Sequence, residues 1–149
     1  TDCQNGGFYL CEADHTELFM NPKETYDGAI PSGNAVMAYN FVRLYQLTEE
    51  EKYCTLAEQQ LAFLATQVQD YPAGHSMFLL AKLLHENPPE HIVIAMKQDS
   101  DLQEIQKQLP FLANISVVRN SIDYPLKDDK VTYYVCKNHV CMPPTNCLI

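Results

Sequence analysis

The run Asn34-Ala35-Val36-Met37-Ala38-Tyr39-Asn40-Phe41-Val42-Arg43-Leu44-Tyr45-Gln46-Leu47 is apolar on nearly every side of a helical projection and carries a single charge, Arg43. A helix of that composition has no wet face, so the stretch predicts a helix over 34–47 that is buried all round. Ser32 stands where an N-cap belongs. The next segment reads differently. Thr48 and Glu51 have the spacing of a capping box, and Tyr53, Leu56, Ala57, Leu61, Leu64 and Val68 recur at helical spacing opposite Lys52, Thr55, Glu58, Gln59 and Gln69, which predicts a half-exposed helix over 49–69. After the Tyr71-Pro72 break, Met77, Phe78, Leu79, Leu80, Ala81, Leu83 and Leu84 predict a second buried helix over 75–86, ended by Asn87-Pro88-Pro89. The order buried, half-exposed, buried fits a double ring of helices with outer helices covering inner ones. An ordinary three-helix layer fits it as well.

From His91 the period changes. Ile92-Val93-Ile94-Ala95-Met96 predicts a strand, Ser100 and Gln103 cap a helix carrying Leu102, Ile105 and Leu109, and 115–119 predicts a second strand. A strand, helix, strand unit with a crossover of this length implies a parallel pair. A third strand is predicted over 131–136 after the Asp128-Asp129 turn. The expected fold class is therefore α+β, with helical hairpins over 1–89 and a small three-stranded α/β subdomain over 90–149.

Composition narrows the function classes. The 149 residues are 46% apolar and 19% charged, enough for one real core. A net charge of -9 and a pI near 4.8, without any Lys/Arg cluster, argue against nucleic acid or an anionic membrane surface as partner. The longest apolar stretch falls well short of the about 20 residues that a bilayer span needs, and no leader opens the chain. Six cysteines spread over a chain with this much apolar content read as reduced cytosolic thiols, which places the protein in the cytoplasm. The opening Thr1-Asp2-Cys3 reads as a cut inside something longer.

The segment Pro22-Lys23-Glu24-Thr25-Tyr26-Asp27-Gly28-Ala29-Ile30-Pro31-Ser32-Gly33-Asn34, followed by Asn40-Phe41-Val42-Arg43-Leu44, resembles the P-K-x-x-x-D-G-A-x-P-S-G-N…N-L-L-R-L signature of the thioredoxin-domain family of the spermatogenesis-associated protein 20 type. Tyr134-Val135-Cys136-Lys137-Asn138-His139-Val140-Cys141-Met142-Pro143-Pro144 is similar to that family's Y-V-C-x-N-x-x-C-x-x-P, and Gly6-Gly7-Phe8 matches its glycine-aromatic loop. Asn21 departs from the basic residue expected before Pro-Lys, which weakens an anion clamp of Asn21 with Lys23. The resemblance implies a thioredoxin-like domain and a six-hairpin (α/α)₆ barrel of the glycosidase type in the longer protein. This chain would be the end of the barrel and the tail that follows, without the Cys-x-x-Cys redox motif. The implied partners are that thioredoxin-like domain and the remaining barrel helices, with self-association through apolar surface left uncovered.

In such barrels the loops before inner helices open onto a central cavity. The resemblance thus makes Asp27 a candidate acid, base or acceptor for a sugar hydroxyl, with Lys23, Ser32 and Asn34 as candidate ligand-binding residues. The plain alternative is that Asp27-Gly28 is a turn and Ser32 a cap, in a barrel that only scaffolds the redox domain. Asp14, His15 and Glu17 place carboxylates and an imidazole close together, but glycoside chemistry needs carboxyls about 5 to 10 Å apart across a substrate, and the reading taken for them is a solvated loop. Cys136, His139, Cys141 and Cys147 suggest zinc only loosely because a second ligand pair is missing. A regulatory disulfide is the other alternative, and the expectation is reduced, metal-free thiols. His75, His85 and His91 read as capping or surface residues. The turn Lys97-Gln98-Asp99 has no glycine for a pyrophosphate. No cofactor is expected.

Overall fold

The computed structural model describes residues 6–11, 20–98, 102–110, 112–137 and 140–148. The chain forms two compact units, Thr1–Asn87 and Pro88–Ile149. Together they are a mixed α+β structure, with four α-helices and one four-stranded mixed sheet among the described residues.

In the first unit, α1 spans Gly33–Thr48, α2 spans Glu51–Val68 and α3 spans Ser76–Glu86. Ser32 is extended and its hydroxyl accepts from the Ala35 N–H, so α1 begins where the cap predicts. Ala35 and Ala38 are fully buried beside Phe41 and Val42. Small side chains at these positions let neighbouring helices approach closely, and α2 closes the core with Ala57, Leu61, Leu64 and Val68, α3 with Phe78, Ala81 and Leu84. Asp27 bonds near the starts of both α1 and α3, and Gln46 near the end of α1 donates to the Leu84 carbonyl near the end of α3. The two helices therefore run parallel, with α2 antiparallel to α1.

Two readings are corrected here. α1 and α3 are not buried all round: Leu44 and Leu47 on α1 are 37% and 41% exposed, and Leu79 and Leu83 on α3 are 42% and 53% exposed. Three helices cover only one side of each. The Thr48–Glu51 capping box does not form either. The Thr48 hydroxyl donates back to Leu44 O inside α1, Glu49 ends that helix in the left-handed region at φ 55°, and Glu50 occupies the N-cap of α2 without a side-chain cap bond.

In the second unit, β1 is His91–Met96, α4 is Leu102–Gln106, β2 is Asn114–Arg119 and β3 is Thr132–Lys137. β1 and β2 are parallel, with His91 opposite Asn114, and β3 lies antiparallel on the other side of β1. Ile92, Ile94 and Met96 pack one face against Ile105, Ala113 and Tyr133. The three-stranded expectation is corrected to four, in the order β2-β1-β3-β4: the chain doubles back after Lys137, and β4, Val140–Cys141, pairs with the end of β3. A two-residue strand leaves no alternation to detect. Ser100, the expected cap of α4, lies outside the described residues. No helix among them is long and apolar enough to cross a membrane.

Candidate functional site

The Lys23–Asn34 segment leads into the first turn of α1 and runs past the start of α3. Asp27 donates its backbone N–H to Gly74 O at 2.7 Å. Its carboxylate lies between two helix starts: Oδ1 accepts from the Ser32 N–H at 2.9 Å and Oδ2 from the Met77 N–H at 2.8 Å. A negative group at helix N-termini is favoured by the orphan N–H donors and the helix dipole. Each oxygen holds a backbone donor, so proton transfer at either one competes with that bond.

The other candidates are also engaged. The Ser32 hydroxyl donates to Thr25 O at 3.0 Å while capping α1. Asn34 is buried; its Oδ1 accepts from Phe8 N at 2.7 Å and from Gln60 Nε2 at 2.9 Å, and its Nδ2 donates to Phe8 O and Glu24 O. Lys23 Nζ donates to Gly6 O at 2.5 Å and lies over the Tyr9 and Phe63 rings, 4.9 Å and 5.2 Å from their centroids. Asn21, the departure from the family pattern, exchanges side-chain bonds with the Cys11 backbone. Lys23, Asp27 and Ser32 belong to the loop before α1 and Asn34 to the first turn of α1, all tied by hydrogen bonds to the Gly6–Phe8 segment, to the loop itself or to the starts of α1 and α3.

A cavity of about 410 Å³ lies between residues 27–31 and the start of α3, where Ala73, Ser76, Met77 and Leu80 form the opposite side. Asp27 lines it; Lys23, Ser32 and Asn34 are not among its lining residues. Asp14, His15 and Glu17 lie outside the described residues.

Three positions were invisible as site residues in the sequence. Gln60 is buried and bonds both Asn34 O and Oδ1; its phase with Ala57 and Leu64 was the available signal. Gly74 has no room for a side chain, since a Cβ there would fall 2.4 Å from the Tyr26 ring and 2.7 Å from the Tyr71 ring. His75 takes the N-cap position of α3, as one of its two readings had it, without a side-chain cap bond, and it is buried, with Nδ1 at 3.0 Å from Tyr71 O and its ring edge-on to Tyr26. His91 pairs with Ser116 Oγ at 2.9 Å across β1 and β2.

The reduced-thiol expectation for Cys136 and Cys141 is overturned: the two are joined in a disulfide. The hairpin that the sequence reading missed places them directly opposite each other in the β3–β4 register. Bonded to one another, they present no thiolate pair to a zinc ion. His139 lies outside the described residues. Cys11, Cys54 and Cys147 are free thiols. Burial pushes the Cys54 thiol up, and the charges of Glu58 and Glu51 add to it.

No family model matches the chain. It is 24% identical to spermatogenesis-associated protein 20 of Rattus norvegicus, an alignment covering 96% of this chain and 20% of that protein. The Homo sapiens protein of the same name gives 24% identity with the same coverage. An uncharacterized protein of Caenorhabditis elegans is 23% identical over 95% of this chain and 21% of its own length. The chain spans about a fifth of the length of the curated relatives it matches. Along most of its length it is similar to one region of spermatogenesis-associated protein 20.

Proposed function

We propose that this chain is a structural section of a larger protein of the spermatogenesis-associated protein 20 family, and that its Lys23–Asn34 loop holds helices together in a non-catalytic scaffold. The observation that carries this reading is the double engagement of Asp27, whose two carboxylate oxygens each accept a backbone N–H at a helix start. The exposed leucines of α1 and α3 support it, because further helices of a six-hairpin barrel would cover such faces. On this reading the partners are those helices and the thioredoxin-like domain implied by the resemblance, in the cytoplasm.

A second reading, in which the loop is one wall of a carbohydrate-type cavity, is favoured by the concavity beside Asp27. Two substitutions in the full-length protein separate the readings. Ser76 lines the cavity but is exposed and takes no part in the loop's hydrogen bonds. Ser76→Tyr would obstruct the cavity while leaving those bonds in place. The scaffold reading expects Ser76→Tyr to leave sugar and sugar-phosphate responses in a thermal-shift screen unchanged, and Asp27→Asn to lower the melting temperature. Loss of a sugar response in Ser76→Tyr, with the fold intact, would overturn it in favour of the cavity.

A further inference from the structure

We propose that Cys136 and Cys141 form a thiol–disulfide exchange site whose substrate is a dithiol. The two sulfurs are placed by strand register, with Cys136 on β3 opposite Cys141 on β4 at the edge of the sheet. They are also accessible: Cys141 is exposed, Cys136 is half-buried, and the flanking Val140 and Met142 are 71% and 60% exposed. Exchange requires an attacking thiolate to approach one sulfur along the S–S axis, and exposed disulfides are the labile ones.

On this proposal the fold does not depend on the bond. It closes a sequence separation of only 5, so it removes less entropy from the unfolded chain than a bond closing a long loop would. The same segment is held independently: Met142 N donates to Val135 O at 2.8 Å, Tyr133 and Thr145 exchange backbone bonds of 2.7 and 3.1 Å, and Asn146 Nδ2 donates to Lys127 O at 2.9 Å. The sheet can therefore keep its edge while the sulfurs cycle. Around the pair, the register partner of Cys136 on β1 is His91, and Lys137 sits 3.9 Å from Glu90.

In the first step a thiolate of the dithiol attacks the Sγ of Cys141, the more exposed of the two residues. The S–S bond breaks with its electron pair on Cys136 Sγ, leaving a mixed disulfide. The second thiol of the substrate, deprotonated, then attacks its own sulfur in the mixed disulfide and releases Cys141 as thiolate. The two protons lost by the dithiol end on the two cysteines. The chain gains two electrons and the dithiol becomes a disulfide.

The test is reduction of the native protein by dithiothreitol, quenched by alkylation and read by mass, with far-UV circular dichroism in parallel. The exchange site predicts that the pair is reduced in the folded state within about tenfold of its rate in denaturant. It further predicts that the β signal is retained and that oxidised glutathione restores the bond. The Cys136→Ser/Cys141→Ser double variant should fold normally and show no dithiothreitol-dependent gain of thiols at these positions. A native bond that resists reduction until denaturant is added, or a sheet that unfolds when the bond opens, would show a structural staple and overturn the proposal.

Discussion

Replacing Asp27 by Asn keeps the side chain's shape but leaves one oxygen where two are used, and turns an amide N–H₂ toward the backbone N–H of Ser32 or Met77. Donor then faces donor. Asp27→Asn should cost about 1–3 kcal/mol of stability, measured by denaturant unfolding with an unchanged slope. Ser32→Ala, which removes the α1 cap and the bond to Thr25, should cost about 1 kcal/mol. Gly7 sits at φ 76° with the Phe63 ring 2.6 Å from where a Cβ would be, so Gly7→Ala meets backbone strain and a clash together and should lower the melting point. Cys54 should alkylate more slowly than a free cysteine peptide across pH 7 to 9, followed by mass spectrometry, since burial and then Glu58 and Glu51 hold its thiol protonated. At this scale the sequence disclosed which residue types converge before α1. It could not disclose that Lys23, Ser32 and Asn34 spend their polar atoms on Gly6, Thr25, Phe8 and Glu24, because those partners are set by chain path rather than by spacing.

Among the elements, the buried bond between Asn34 on α1 and Gln60 on α2 ties two helices through a polar contact inside an apolar core. Gln60→Leu would leave Asn34 Oδ1 with Phe8 N alone, and a loss of about 1–3 kcal/mol is expected in thermal or chemical unfolding. At the end of α3, Lys82 bonds to Glu86 and holds its carboxyl below the usual carboxylate range. A carboxyl with a lowered folded-state value contributes stability above its unfolded value, and that contribution is lost as pH falls through the lowered one. Both side chains are exposed, so Glu86→Gln should alter the acid limb of the stability curve only slightly. The three long helices and three main strands were legible from their hydrophobic period, and at the start of α1 the Ser32 cap agrees with it. β4 was not legible because its two residues carry no period, and with it the pairing of Cys136 and Cys141 was hidden. The start of α2 misled because the Thr48 hydroxyl donates back to Leu44 O and accepts from the Glu50 N–H, one residue short of the Glu51 partner that a capping box needs.

For the whole molecule, the central claim is that the loop before α1 is a structural tie and that the leucines of α1 and α3 lie on faces built to be covered in a larger protein. The expected alternation of buried and half-exposed helices is not what the structure shows, because how far α1 and α3 are covered depends on neighbours that no local pattern encodes. The tie itself is open to direct measurement by native-state hydrogen exchange at the Ser32 and Met77 amides, in the wild type and in Asp27→Asn. If Asp27 joins the two helix starts, both amides lose protection together in the variant while the amides in the middle of α2 change only by the global loss of stability. If Ser32 and Met77 keep their wild-type protection, Asp27 does not hold the helices and the account is wrong.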